Sequence, residues 1–172
     1  MIAPLLARCL TFVRGVIYSA GFVWLWAWVA ASVRPVDAKI PIALPDWLRP
    51  IGFGLGSVGA ALAGACIVTF LTRGRGTPAP FDPPRAFVAS GPYRYVRNPM
   101  YVGAAAVILG AGLVLSSPSI ALLAFAFVLA MHLFVVLYEE PALARKFGAP
   151  YDQYRSSVRR WLIRKPKTSA HA

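Results

Sequence analysis

Two adjacent carboxylates, Glu139 and Glu140, are the side chains in this sequence best suited to chemistry. They stand at the end of a long uncharged run, where the C-terminal end of a helix disfavours anions, so a cationic partner or ligand is needed to compensate them. Elsewhere in the sequence, the guanidinium of Arg97 could bind a ligand carboxylate through two parallel hydrogen bonds. A solvated pair balanced by Arg145 or Arg97 is the structural alternative to a ligand site.

A helix start follows Arg97 directly. Asn98 precedes Pro99, and this order predicts an N-cap in which the Asn side chain accepts from the free amides of the first turn. The same amides, together with the positive end of the helix dipole, can hold an anionic ligand group. Asn98 and Arg97 are therefore candidates for an anion site as well as for a cap.

His132 is an ionisable side chain inside an uncharged run. Such residues at membrane depth are functional candidates by default, and a hydrogen bond between helices is the structural alternative. Cys9 and Cys66 stand alone, in neither a metal-ligand pattern nor a plausible disulfide. We expect no bound metal.

The positions of these residues depend on long apolar segments. The 172 residues suit one domain, and they are 58% hydrophobic and 14% charged, against about 25% charged in soluble domains. Uncharged runs cover Gly15–Val33, Pro50–Thr72 and Asn98–Tyr138. The last is about twice the ~20 residues of one crossing, and Ser116-Ser117-Pro118-Ser119 breaks it. The pattern predicts an all-α, polytopic membrane protein.

We predict a single membrane domain over residues 1–172 with about four transmembrane helices, the last two forming a tight hairpin. The predicted helices are 15–33, 51–72, 99–115 and 119–138, with a cytoplasmic loop at 73–98, interfacial amphipathic helices at 139–163 and a tail at 164–172. The interfacial region is predicted from an apolar stripe of six residues: Leu143, Phe147, Tyr151, Tyr154, Val158 and Trp161. These helices either lie on the bilayer or roof a pocket at the mouth of the hairpin.

The formal charge of +12 fits this topology. Of the 18 Lys and Arg residues, fifteen lie in segments that are cytoplasmic if the N-terminus is cytoplasmic, and the other three lie in the loop between the first two helices. The positive-inside rule then predicts both termini in the cytoplasm of a multi-pass plasma (inner) membrane protein. Anionic lipid accounts for the charge, and because no nucleic-acid motif is present we expect no nucleic-acid partner.

Small residues predict close helix packing. Gly54-Leu55-Gly56-Ser57-Val58-Gly59 matches a dinucleotide fingerprint, but it lies inside a predicted span rather than after a strand. Small side chains recur every four residues on the second helix, and a similar set falls on the third: Gly52, Gly56, Ala60 and Gly64, then Gly103, Ala106 and Gly110. Such faces allow two helices to approach closely in lipid.

An ordered set of short motifs extends from about Gly76 to Arg164. The motifs are Gly76-Thr77-Pro78-Ala79-Pro80, Gly91-Pro92-Tyr93-Arg94, Arg97-Asn98-Pro99-x-Tyr101-x-Gly103, Glu139-Glu140-Pro141 and Phe147-Gly148-x-x-Tyr151-x-x-Tyr154. In this order and separation they resemble the isoprenylcysteine carboxyl methyltransferase and phospholipid N-methyltransferase superfamily of integral membrane enzymes.

The resemblance implies methyl transfer from S-adenosylmethionine, with S-adenosylhomocysteine as product, to a lipophilic acceptor from the bilayer: an isoprenylcysteine carboxyl group or a phospholipid amine. We assign catalytic roles to Glu139, Glu140 and Arg97. We assign cofactor contacts to Tyr93, Arg97, Asn98, Pro99, Tyr101, Gly103, His132, Glu139 and Glu140. Many members of the superfamily have His at the position of Asn98. Asn cannot act as an acid or base near neutral pH, so the resemblance does not carry a proton-transfer role to this position. A non-catalytic membrane subunit or scaffold that retains the fold is the alternative function, and the oligomeric state is left open.

Overall fold

The computed structural model describes residues 2–74 and 87–162. The predicted tail at 164–172, the motif Gly76-Thr77-Pro78-Ala79-Pro80 and the side chain of Cys9 lie outside what it describes. Within the described ranges all regular structure is helical, which confirms the predicted all-α class.

Six α-helices make up the fold: α1 (Ile2–Val33), α2 (Leu48–Thr69), α3 (Pro99–Val114), α4 (Pro118–Phe134), α5 (Glu140–Phe147) and α6 (Ala149–Ser157). Short 3-10 helices lie at Arg34–Lys39 and Gly91–Arg94, and π turns at Phe70–Gly74 and Val135–Glu139 extend α2 and α4. α1 begins well before the predicted residue 15, because charged side chains limit a membrane span but not a helix.

Three helical segments are long and apolar enough to cross a membrane: Phe12–Lys39, Leu48–Arg73 and Pro118–Phe147. The apolar helix α3 has 16 residues and is about 24 Å long at 1.5 Å per residue, which is shorter than the ~30 Å hydrocarbon core. The protein is therefore a membrane protein, and the fourth crossing stays a prediction.

The break between α3 and α4 is the predicted tight turn. Ser116 has a positive φ of 49°, and the N–H of Ser117 donates to the carbonyl of Gly112 at 2.8 Å. The hydroxyl of Ser117 then accepts from the N–H of Ile120 and caps α4. Pro118 occupies the first turn, where its missing N–H costs nothing.

Polar contacts join this turn to the connection between α1 and α2. The carboxylate of Asp37 accepts from the backbone N–H of Ser119 at 2.8 Å and from the hydroxyl of Ser117. Arg49 Nε donates to Ser116 Oγ at 3.3 Å. The two predicted outside segments therefore lie at one end of the bundle. The sequence analysis did not single out Asp37. Its negative charge lies at the N-terminal end of α4, where the helix dipole favours an anion.

Helices α2 and α3 pack through backbone contact at glycines. A Cβ atom added at Gly110 would lie 2.6 Å from the carbonyl oxygen of Gly52, and one at Gly59 would lie 2.6 Å from that of Gly103. Such distances leave no room for a side chain, so the prediction of close packing by small residues is confirmed for Gly52, Gly103 and Gly110.

The predicted spacing of the α2 face was partly wrong. Gly56 contacts Gly110, but nothing lies within 4 Å of a Cβ at Gly64, and Ala60 is exposed. Gly59 takes part instead. The reason is that residues three and four apart alternate along a packed helix face, because a turn has 3.6 residues.

We expect Gly110→Ala to lower the free energy of unfolding by about 1–3 kcal/mol, because the added methyl group overpacks the α2–α3 contact. Gly54→Ala is the control, since its Cβ meets nothing within 4 Å and alanine favours helix. Unfolding in mixed detergent micelles measures both variants. Equal midpoints for the two would contradict the packing assignment.

We expect Asp37→Ala to lower the unfolding temperature more than Asp46→Ala does. Asp37 accepts two hydrogen bonds from the α4 start, whereas Asp46 contacts Arg49 on the surface with 82% of its side chain exposed. Thermal unfolding in detergent compares the two variants, and a greater loss in Asp46→Ala would count against the contact between the two loops.

Candidate functional site

The chain after α6 returns to the start of α3. Val158 is extended, with φ −114° and ψ 131°. The backbone N–H of Arg97 donates to the carbonyl of Arg159 at 2.9 Å. The predicted apolar stripe therefore ends with α6. The prediction was wrong for its last two members, Val158 and Trp161, which do not lie on a helix. The hydroxyls of Ser156 and Ser157 bond to carbonyls three residues back and compete with continuation of the helix.

Asn98 makes a different contact from the predicted cap. Its side chain makes no capping hydrogen bond, and its Nδ2 donates to the carbonyl of Arg160 at 3.2 Å. The residue is 7% exposed. The capping prediction was wrong: Oδ1 accepts no N–H of the first turn, and the amide is instead oriented by its Nδ2 bond to the returning segment 158–162.

Glu140 lies between two guanidinium groups. Arg160 donates from Nε to Oε1 at 2.7 Å and from Nη2 to Oε2 at 3.0 Å, a two-bond fork. Arg97 Nη1 lies 3.2 Å from Oε1, and the side chains of Arg97 and Glu140 are only 11% and 12% exposed. Of the two arginines in the structural alternative, Arg97 makes the ion pair and Arg145 is exposed, but the pair is buried rather than solvated. The hydrogen bond to Glu140 raises the pKa of Arg160 above its ordinary value.

Glu139 faces another neighbour. Its Oε2 accepts from the hydroxyl of Tyr101 at 3.1 Å. Consecutive helical residues point about 100° apart, so the two carboxylates serve different elements: Glu139 meets α3 and Glu140 meets the segment 158–162. Glu139 ends the π turn Val135–Glu139, a distortion that is frequent at functional sites.

His132 contacts the returning segment. Trp161 Nε1 donates to His132 Nδ1 at 3.0 Å. His132 is thus hydrogen-bonded, as in the structural alternative, but its partner lies in the segment 158–162 rather than on another helix. A neutral imidazole that accepts at Nδ1 carries its proton on Nε2.

The other predicted site residues lie around the start of α3. The Tyr93 ring packs edge-on against Phe70 at 5.2 Å between centroids, and burial raises its pKa well above the usual value. Its carbonyl accepts from Tyr154 Oη at 2.7 Å. Pro99 is buried and begins α3, and Gly103 lies in the α2–α3 contact.

The sequence analysis did not assign to the site four residues that the structure places beside it: Arg160, Trp161, Tyr151 and Tyr154. Tyr151 is 2% exposed, and burial raises the pKa of its hydroxyl, which also interacts with Arg97. The motif Phe147-Gly148-x-x-Tyr151-x-x-Tyr154 contained the signal for the two tyrosines. No local pattern marked Arg160 or Trp161.

An apolar cavity of about 180 Å³ adjoins these residues. Its lining comes from α3, α4 and the segment 158–162: Tyr101, Val102, Ala105, Phe127, Val128, Met131 and Trp161. Tyr101 links the cavity to Glu139 through its hydroxyl. In residues 2–74 and 87–162, no three His, Cys, Asp or Glu side chains are grouped so as to hold a metal ion.

The family model of phospholipid methyltransferases matches residues 55–150, which is more than half of the chain. The chain belongs to the phospholipid methyltransferase family, and the resemblance noted in the sequence is confirmed. The family is one of membrane methyltransferases that generally use S-adenosylmethionine. No curated protein and no solved structure gives a significant match.

We expect Glu140→Gln to lower the free energy of unfolding by about 2–3 kcal/mol, because two partly buried guanidinium groups then lose their counter-charge. Glu139→Gln is the matched control, since an amide oxygen still accepts from Tyr101, and its cost stays below about 1 kcal/mol. Denaturant titration in detergent measures both. The same loss in the two variants would contradict the distinct roles of the two glutamates.

Proposed function

We propose that this protein transfers the methyl group of S-adenosylmethionine to a lipophilic acceptor, at the end of the α3–α4 hairpin where Arg97, Glu139 and Glu140 lie. The observation that carries the proposal is the pair of buried donors on Arg97. Its Nε and Nη1 are buried and have no hydrogen-bond acceptor among the described residues. Native proteins leave few such groups unpaired, so these donors fit an anionic ligand group.

The residues present fit the chemistry of the cofactor. Arg97 suits its carboxylate, because a guanidinium binds carboxylates through directed hydrogen bonds. Glu139 suits its ammonium or its ribose hydroxyls, and the Tyr101 ring can face a positively charged sulfur. When bound, S-adenosylmethionine supplies an activated methyl group on that sulfur.

The apolar cavity suits one segment of the acceptor. Its volume of about 180 Å³ exceeds the roughly 150 Å³ of a dry cavity that binds benzene, and it is smaller than the ~300 Å³ or more of a typical whole-ligand pocket. A lipid-like acceptor would therefore place part of an apolar chain beside Tyr101 and leave its reactive group near Glu139.

Alignment and exclusion of water are the main contributions expected from the protein, since methyl transfer is an in-line displacement. A phospholipid amine has to lose a proton, and Glu139 is the carboxylate available to accept it because Glu140 is held by Arg160. An isoprenylcysteine carboxyl group needs no base. The family match and the position of Glu139 favour the amine.

We expect S-adenosylhomocysteine to bind the full chain in lipid nanodiscs with micromolar affinity, measured by isothermal titration. Glu139→Ala should lower kcat for a phospholipid amine by about 100-fold or more, the range of a lost general base. Arg97→Ala should weaken S-adenosylhomocysteine binding by about tenfold or more, as a charged hydrogen bond is lost.

Arg145→Ala is the control, because this exposed arginine lies on the neighbouring helix α5. It should retain both binding and turnover. Folded protein that binds no S-adenosylhomocysteine would favour the alternative of a non-catalytic scaffold. Turnover of an isoprenylcysteine by the wild-type protein, with none of a phospholipid amine, would move the acceptor to the carboxyl class.

A further inference from the structure

Arg97 and Arg160 converge on the same carboxylate but use it differently. Arg160 donates to both oxygens of Glu140, at 2.7 and 3.0 Å. Arg97 Nη1 lies 3.2 Å from one of them, within ion-pair distance, yet it is not aligned as a hydrogen bond, and in the described part of the chain neither Nη1 nor Nε has an acceptor. Arg160 therefore holds both oxygens in an aligned fork, whereas Arg97 approaches one of them only as an ion pair and keeps its Nε and Nη1 donors unpaired.

The surroundings hold Arg97 in this state. Its backbone N–H is fixed on the carbonyl of Arg159, and its side chain is 11% exposed, so water has little access to it. Tyr151 beside it is buried with a raised pKa, so its hydroxyl stays neutral and supplies no counter-charge. Glu139 is turned to Tyr101. Two positive groups and one carboxylate leave a local charge of +1 in the Arg97–Glu140–Arg160 cluster.

Loss of the Arg160 charge would change the partner of Glu140. A buried carboxylate needs a compensating cation, and Arg97 is within 3.2 Å, so Glu140 would take Arg97 in a closed two-bond pair. The Nε and Nη1 donors of Arg97, which now lack an acceptor, would then bond to Glu140 and no longer be available to a ligand.

We propose that Arg160 is a positioning residue: by holding both oxygens of Glu140 in its fork it keeps the Nε and Nη1 donors of Arg97 available to the carboxylate of the cofactor's amino-acid part. This inference rests on the proposed function. It also assigns Glu140 to the support of Arg97 rather than to contact with the reacting group. Arg160 lies beyond residues 55–150, the range of the family match.

Isothermal titration of the full chain in nanodiscs tests this with two probes. S-adenosylhomocysteine carries the amino-acid carboxylate, and 5′-methylthioadenosine lacks the amino-acid part. We expect Arg160→Gln to weaken S-adenosylhomocysteine binding by about tenfold or more, the loss of a charged hydrogen bond, with the affinity for 5′-methylthioadenosine unchanged. The double variant Arg160→Gln/Glu140→Gln should recover most of the loss, because no carboxylate remains to capture Arg97.

Arg159→Gln is the control, since this neighbour is exposed and contributes its backbone carbonyl to the contact with Arg97. Unchanged S-adenosylhomocysteine binding in Arg160→Gln would overturn the inference alone. So would an equal loss for both probes without recovery in the double variant, which is the result of a purely structural role. Folded wild-type protein that does not bind S-adenosylhomocysteine would overturn the proposed function and the inference with it.

Discussion

The burial of the Glu140 carboxylate between Arg97 and Arg160 is the constraint on which this end of the molecule depends. Removing charges from water is costly, and the cost is offset only when the partners are in place together. The three residues come from the start of α3, the start of α5 and the segment 158–162. Their pairing therefore requires the chain after α6 to fold back onto the hairpin, and the contacts of Asn98 and Trp161 fix the same path.

Between its two polar ends the bundle is apolar. Lipid is as apolar as the helix faces, so burial of hydrophobic side chains does little to select one helix arrangement over another. Close backbone contact at Gly52, Gly59 and Gly110 and the Asp37 contacts at the far end supply that selection. The α3–α4 hairpin is thus fixed at its turn by hydrogen bonds, along α2 by glycine packing, and at its open end by the ion cluster.

Membership of the phospholipid methyltransferase family rests on residues 55–150. That range contains Arg97, Tyr101 and both glutamates but ends before Arg160 and Trp161. Under the proposed function, the ligand-binding groups belong to the matched range and the groups that hold them in position lie outside it. The lining of the apolar cavity is divided in the same way. Helices α3 and α4 supply six of its lining residues within the matched range, and Trp161 outside that range supplies the seventh.

Local sequence patterns were enough to predict the helical membrane class, the break at Ser116–Ser119 and the need of the paired glutamates for a cationic partner or ligand. Uncharged run lengths, a Ser-Pro break and a carboxylate at a helix end each reflect local physics. The roles of Asn98, His132 and Arg160 follow from contacts that form only in the folded chain. Asn98 has the sequence context of a capping residue, but its side-chain amide donates to a carbonyl 62 residues further along the chain. The direction of the chain after Ser157 sets these contacts, and it depends on the carboxylate of Glu140, the amide of Asn98 and the imidazole of His132 that the folded hairpin presents, so no local pattern contains it.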